Sequence, residues 1–83
     1  MRTQAETASW LADLLVRQFE VPAEKISPEA HLFEDLDLDS IDAIDFMVTL
    51  EDLTGLRVEE DELRRLRRFQ DIVELVHGKL ASR

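Results

Sequence analysis

Hydrophobic residues recur along this chain at helical spacing. Trp10, Leu11, Leu14, Leu15 and Phe19 fall on steps of three and four, one stripe of a helix predicted over Thr3 to Glu20. Val21-Pro22 is expected to end it, because the residue before a proline avoids the helical region. Pro22 to Asp39 reads as a long connection lying on the core, since it carries Ile26, Leu32, Phe33 and Leu36. Within it, Ser27-Pro28-Glu29 predicts a short helical turn. A second helix is expected to start at Asp39 or Ser40, either of which can cap it, and to run to about Thr54, where Gly55 fits the C-terminal cap. Val58 to Leu66 predicts a short third helix with Leu63 and Leu66 inward and Glu59, Glu60 and Asp61 near its positive N-terminal end. A last helix runs from Phe69 or Gln70 to Leu80, with Ile72, Val73, Leu75, Val76 and Leu80 as its stripe. No segment shows strand periodicity, and no repeat appears. The expected fold is all-α, a small bundle of three main helices plus one short helix, in a single domain over residues 1–83.

The second helix departs from a simple amphipathic pattern. Ala43, Phe46, Met47, Leu50 and Leu53 form one stripe, assigned to the core, while Ile41, Ile44 and Val48 form another, offset from it. An apolar second face is too much for a surface helix unless loops cover it or a partner meets it.

Composition narrows the classes. At 83 residues the core is thin, and a deep substrate cavity is hard to enclose. Cysteine is absent, which excludes disulfides and thiolate metal sites. Asp13 and Arg17 interrupt the apolar residues of the first helix, so it does not read as a signal peptide, and nothing approaches a membrane span. The expected location is the cytoplasm. A net charge of −9, from 19 acidic against 10 basic residues, argues against nucleic acid and anionic membranes. It favours partners with basic patches, met through electrostatically steered encounters. From His31 to Leu56 there is no Lys or Arg, yet eight carboxylates fall there: Glu34, Asp35, Asp37, Asp39, Asp42, Asp45, Glu51 and Asp52. Half the basic residues, all arginines, lie between Arg57 and Arg68.

Ser40 stands inside this acidic stretch. Asp35, Asp37 and Asp39 have the D-x-D-x-D spacing that opens a calcium loop, but Ser40 occupies the glycine position and Phe46 the position of the bidentate Glu. Hydrolysis by Ser40 is also disfavoured. There is no G-x-S-x-G, neither His31 nor His77 has the context of a catalytic base, and neighbouring carboxylates oppose an alkoxide. His31 reads as a loop residue, His77 as a helix residue, and Trp10 as core. The Arg64-Arg65-Leu66-Arg67-Arg68 run reads as solvated surface that offsets part of the acidic second helix. On spacing alone, Ser40 reads as a helix N-cap.

A resemblance changes that reading. Phe33-Glu34-Asp35-Leu36, Asp39-Ser40-Ile41 and Asp42-Ala43-Ile44-Asp45-Phe46 resemble the modification site of acyl carrier proteins, whose pattern is close to E-D-L-G-x-D-S-L. The likeness covers nearly the whole chain, through Leu53-Thr54-Gly55-Leu56-Arg57-Val58 to Phe69-Gln70-Asp71-Ile72-Val73-Glu74-Leu75-Val76. It implies a non-catalytic carrier. Ser40 would bear a 4′-phosphopantetheine taken from coenzyme A by a phosphopantetheinyl transferase, with Asp39 assisting near that enzyme's Mg²⁺; the carrier itself would hold no metal. The arm's thiol would bear acyl chains as thioesters, which suits a chain without cysteine. Ile41, Ile44 and Val48 would supply apolar contacts to partner enzymes, and Asp39, Asp42, Asp45, Glu51 and Asp52 the charges. The implied partners are ketosynthase, ketoreductase, dehydratase or acyl-loading enzymes of a type II synthase, visited by a carrier that is monomeric alone.

Three positions depart from the pattern. Asp37 replaces the usual glycine, Ile41 replaces the common leucine, and Arg68 replaces the threonine that often caps the last helix. Asp35 to Ala43 together with Leu63 to Arg68 most resemble carriers of bacterial aryl-polyene-type clusters. The alternatives are a peptidyl or aryl carrier, which would share Ser40, and an acidic helical interaction protein in which Ser40 only caps a helix.

Overall fold

Thr3 opens the first helix by accepting the N–H of Glu6 on its hydroxyl, so α1 spans Gln4–Phe19. The computed structural model describes residues 3–82. Three further helices follow: α2 over Ser40–Thr54, α3 over Glu60–Arg64 and α4 over Phe69–Ala81. A 3₁₀ turn covers Ala23–Lys25 in the long connection. No strand occurs among the described residues, where His31 and Arg68 form an isolated bridge. The all-α architecture of three main helices and one short one is the one the periodicity predicts.

α1 packs on α4. Leu11 and Leu15 of α1 and Val73 and Val76 of α4 are fully buried, and Phe46 and Leu50 of α2 close the other side. Phe46 meets Phe19 with ring centroids 5.7 Å apart and tilted planes, a favourable aromatic arrangement. Ala30, Leu32, Leu36 and Leu38 bury their side chains from the connection and Ile26 packs against the core, so the connection hugs it as expected, except that Phe33 is exposed. Its backbone is stitched to the α3–α4 junction. Leu32 N–H donates to the carbonyl of Arg67 at 2.9 Å, Phe69 N–H to Ala30 at 2.9 Å, and Gln70 N–H to Pro28 at 3.0 Å.

Several expectations need correction. α1 ends at Phe19, just ahead of Val21-Pro22 as expected, but the stop is made by the C-cap Glu20, which adopts a left-handed conformation at φ 56° and, like Val21, donates its N–H to the carbonyl of Leu15. The helical turn lies at Ala23–Lys25 and not at Ser27-Pro28-Glu29, which forms a single turn closed by Ala30 N–H on Ser27. Leu53 is not core: it is 59% exposed, near the end of α2 where no element covers it. Ala43 and Met47 are only half-buried, while Trp10, also half-buried, does pack against the core. α3 is shorter than Val58 to Leu66. Glu62 accepts the N–H of Glu59 and fixes its start, while Val58 and Leu66 are buried just outside it. Arg68 precedes α4 but offers no acceptor. Asp71 reaches back instead and accepts the N–H groups of Arg67 and Arg68, each at 2.9 Å.

Candidate functional site

The segment leading into α2 is shaped by His31 and Asp35. His31 Nδ1 accepts the N–H groups of Phe33 and Glu34, at 3.3 and 3.2 Å. Asp35 accepts the His31 N–H at 2.7 Å, and the N–H groups of Asp35 and Leu36 return to the His31 carbonyl. Leu36 and Leu38 are buried on either side of the exposed Asp37, whose φ is 56°. The position where the carrier pattern has glycine thus does need the left-handed region, and Asp is among the residues that tolerate it.

Asp39 then caps α2. It accepts the N–H of Asp42 at 2.8 Å while Asp42 accepts the N–H of Asp39 at 3.2 Å, a reciprocal capping box. The sequence allows Asp39 or Ser40 in that role, and the fold gives it to Asp39. Ser40 is the first residue of the helix, is exposed, and its hydroxyl makes no hydrogen bond among the described residues. The reading of Ser40 as only a helix cap is therefore overturned.

Ile41, Ile44 and Val48 stand 70%, 52% and 47% exposed, so no loop covers the second apolar stripe of α2. Asp45 and Asp52 are exposed beside it. Asp42 and Glu51 are half-buried and partly engaged: Asp42 serves the cap, and Glu51 accepts the N–H of Val58 at 3.3 Å. The structure thus gathers the predicted apolar residues on one open face and leaves Asp45 and Asp52 as its freest charges. No cluster of three or more His, Asp or Glu that could hold a metal occurs among the described residues.

Ser40 also lines a groove of about 530 Å³ between α2 and α3, together with the apolar Phe33, Ala43, Ile44, Met47, Leu63 and Leu66 and the charged Glu60, Arg64 and Arg67. Beneath it lies a small apolar cavity of about 40 Å³ bounded by Leu32, Leu38, Phe46 and Ile72 as well as Leu63 and Leu66. Two features of this site were not read from the sequence. His31 as an organiser of the loop has no local signal. That Arg64 and Arg67 line the same groove as Ser40 depends on the meeting of two segments distant in sequence.

Comparison with known proteins defines the class. Residues 9–76 match the phosphopantetheine attachment site family. The chain is 36% identical over 80 residues to acyl carrier protein 2 of Ralstonia nicotianae, covering 96% of this chain and 99% of that one. It is 30% identical to an acyl carrier protein of Thermosynechococcus vestitus, over 95% and 98% of the two chains. The crystal structure of an acyl carrier protein from Thermotoga maritima superposes with a TM-score of 0.82 at 26% identity, over 95% of this chain and 92% of that one. The chain belongs to the acyl carrier protein family. Members of this family are carriers and not enzymes; they bear a covalent 4′-phosphopantetheine and work with phosphopantetheinyl transferases and synthase enzymes.

Proposed function

We propose that Ser40 is the attachment point of the prosthetic arm, and that this chain is a single-domain type II carrier for fatty-acid-like or polyketide chains, of the kind found in aryl-polyene-type clusters. The observation that carries the attachment reading is the free hydroxyl of Ser40 at the exposed start of α2, with capping handled by its neighbours Asp39 and Asp42. An oxygen without a structural task can be esterified without loosening the helix. Asp39 stands one residue ahead, exposed, where it can assist the Mg²⁺ of the transferase. The arm, once attached, supplies a thiol on which acyl chains ride as thioesters.

The protein's own part is to present that arm. Ile41, Ile44 and Val48 form the apolar centre of a docking face, and Asp45 and Asp52, with Asp42 and Glu51 behind them, draw it to basic patches on ketosynthase, ketoreductase, dehydratase or acyl-loading enzymes. A small apolar centre ringed by charge gives fast, weak encounters, which suits one carrier visiting several enzymes in turn. Tethering raises the effective concentration of the chain at each of them. No helix among the described residues is long and apolar enough to cross a membrane. We place the carrier in the cytoplasm, monomeric when alone and without affinity for nucleic acid. The aryl-polyene assignment is supported by the Asp35 to Ala43 and Leu63 to Arg68 stretches.

Incubation with coenzyme A, Mg²⁺ and a broad transferase should add the mass of one phosphopantetheine, and Ser40→Ala should abolish the gain. No gain with a transferase active on a control carrier overturns the attachment reading. Loading by acyl-transferring rather than adenylating enzymes supports the acyl class; the reverse moves the protein to the peptidyl or aryl carriers.

A further inference from the structure

We propose that Arg64 and Arg67 form a binding site for the phosphodiester that would join the arm to Ser40, drawing the arm toward α3 and along the groove. The inference rests on the attachment reading and goes beyond it, because it assigns a ligand to two residues outside the carrier motif.

The charge layout leaves few choices. A phosphodiester on Ser40 Oγ adds an anion beside the capping carboxylates of Asp39 and Asp42. No Lys or Arg occurs from His31 to Leu56, so the local chain cannot balance it. Lys25 pairs with Asp37 at 3.9 Å, on the side of the connection and away from the groove's lining. The cations that share the groove with Ser40 are Arg64 and Arg67. Their neighbours in the run do not share it: Arg65 lines a separate depression with Glu62, Asp71 and Glu74, and Arg68 lines neither.

Both arginines are free to serve. Arg64 pairs with Glu60 at 2.6 Å, but the two side chains are 72% and 74% exposed, and such surface pairs exchange partners at little cost. Arg67 is steadied by Nη1, which donates to the carbonyls of Arg64 and Leu66. Those bonds leave Nε and Nη2 to present an edge of the guanidinium fork, a geometry suited to phosphate oxygens. The backbone of Arg67 is fixed against the connection that leads into α2, since its carbonyl accepts the N–H of Leu32, and its side chain lines the same groove as Ser40. Repulsion from the Asp39 side and attraction from the α3 side then act in the same direction.

The test compares the full chain in its unmodified and phosphopantetheine-loaded forms. The Nε–Hε nuclear magnetic resonances of Arg64 and Arg67 should move on loading, while those of Arg65 and Arg68 stay in place. The ³¹P resonance of the loaded protein should differ from that in urea, and the difference should shrink by about half or more at roughly 0.5 M salt, where the Debye length is only a few ångströms. Arg64→Ala with Arg67→Ala should bring the ³¹P resonance to the urea position. Arg64→Lys with Arg67→Lys should keep part of the salt dependence, and Arg65→Ala with Arg68→Ala, an equal loss of charge, should leave the resonance as in the parent. Unmoved Arg64 and Arg67 resonances on a loaded protein, or equal effects of the two double alanine variants, overturn the inference and leave the attachment reading standing. Failure to load at all removes both.

Discussion

Lys79 of α4 reaches Glu62 of α3 at 2.9 Å, with the two side chains only 24% and 29% exposed. This is the most sheltered ion pair among the described residues, and it pins a helix of five residues too short to hold itself. Glu62 also accepts the Glu59 N–H, so one carboxylate starts α3 and anchors it to the bundle. Leu63 and Leu66, which wall the groove beside Ser40, depend on that anchor. Lys79→Met should therefore cost about 1 kcal/mol or somewhat less, scaled between exposed and buried pairs. Amide exchange should quicken over residues 62–66 while α1 and the core of α4 keep their protection. Uniform acceleration along the chain would mean that the pair serves global stability and not α3.

Acid should act through two carboxylates. The Glu59 N–H, then Lys79, hold the Glu62 carboxyl below its ordinary value of 4.5. The N–H groups of Arg68, then Arg67, hold Asp71 below 3.8. Each is depressed in the folded state, so its contribution is full above the unfolded value and is lost as pH falls through the folded one. Urea unfolding is expected to be constant from about pH 7 to pH 5 and weaker toward pH 3. Glu62→Gln combined with Asp71→Asn should be less stable at neutral pH and lose less on acidification. An unchanged pH slope in that variant would refute the linkage.

At the start of α2 the two adjacent polar residues should behave oppositely. Asp39→Ala removes the cap and should destabilise by about 1 kcal/mol. Ser40→Ala removes a hydroxyl with no partner and should stay within about 0.5 kcal/mol of the parent. Chemical denaturation of the unmodified proteins decides this. A larger loss from Ser40→Ala than from Asp39→Ala would return the capping role to the serine.

Asp37 offers a test of backbone conformation. At φ 56° a β-branched residue is strained, so Asp37→Val should destabilise by roughly 1–2 kcal/mol, and Asp37→Gly should be neutral or stabilising by up to about 1 kcal/mol. Its contact with Lys25 is at 3.9 Å on an exposed surface and should contribute little either way. Equal stabilities for the Gly and Val variants would contradict the conformation.

The exposed face of α2 predicts a separation of stability from docking. Ile44→Asp and Val48→Asp should leave unfolding free energies within about 0.5 kcal/mol of the parent. Both should weaken binding to a partner synthase enzyme about tenfold or more, measured with the loaded carrier. Leu53→Asp, also exposed but on another side, should leave both quantities nearly unchanged. A cooperative loss of fold in Ile44→Asp would show that the stripe is core after all.

Most of the fold was legible because helical periodicity is a local property. The stripes of α1 and α4, the glycine at the end of α2 and the acidic first turn of α3 all lie within a few residues of what they control. The misreadings share a cause. Leu53 follows the core spacing of α2, yet burial depends on which neighbour reaches the helix end, and none does. The cap of α4 was unreadable at Arg68 because Asp71, three residues on, supplies the acceptor from inside the helix.

By itself the sequence determined the helices, their order, the concentration of negative charge around Ser40 and the family pattern that surrounds it, since each is written in residues adjacent along the chain. Only the tertiary structure decided that Asp39 and not Ser40 caps α2, that the Ile41, Ile44 and Val48 stripe stays open, and that Arg64 and Arg67 share a groove with Ser40. Those facts follow from competition for hydrogen bonds and from contacts between segments far apart in sequence, such as Leu32 N–H on the Arg67 carbonyl, which no local pattern encodes.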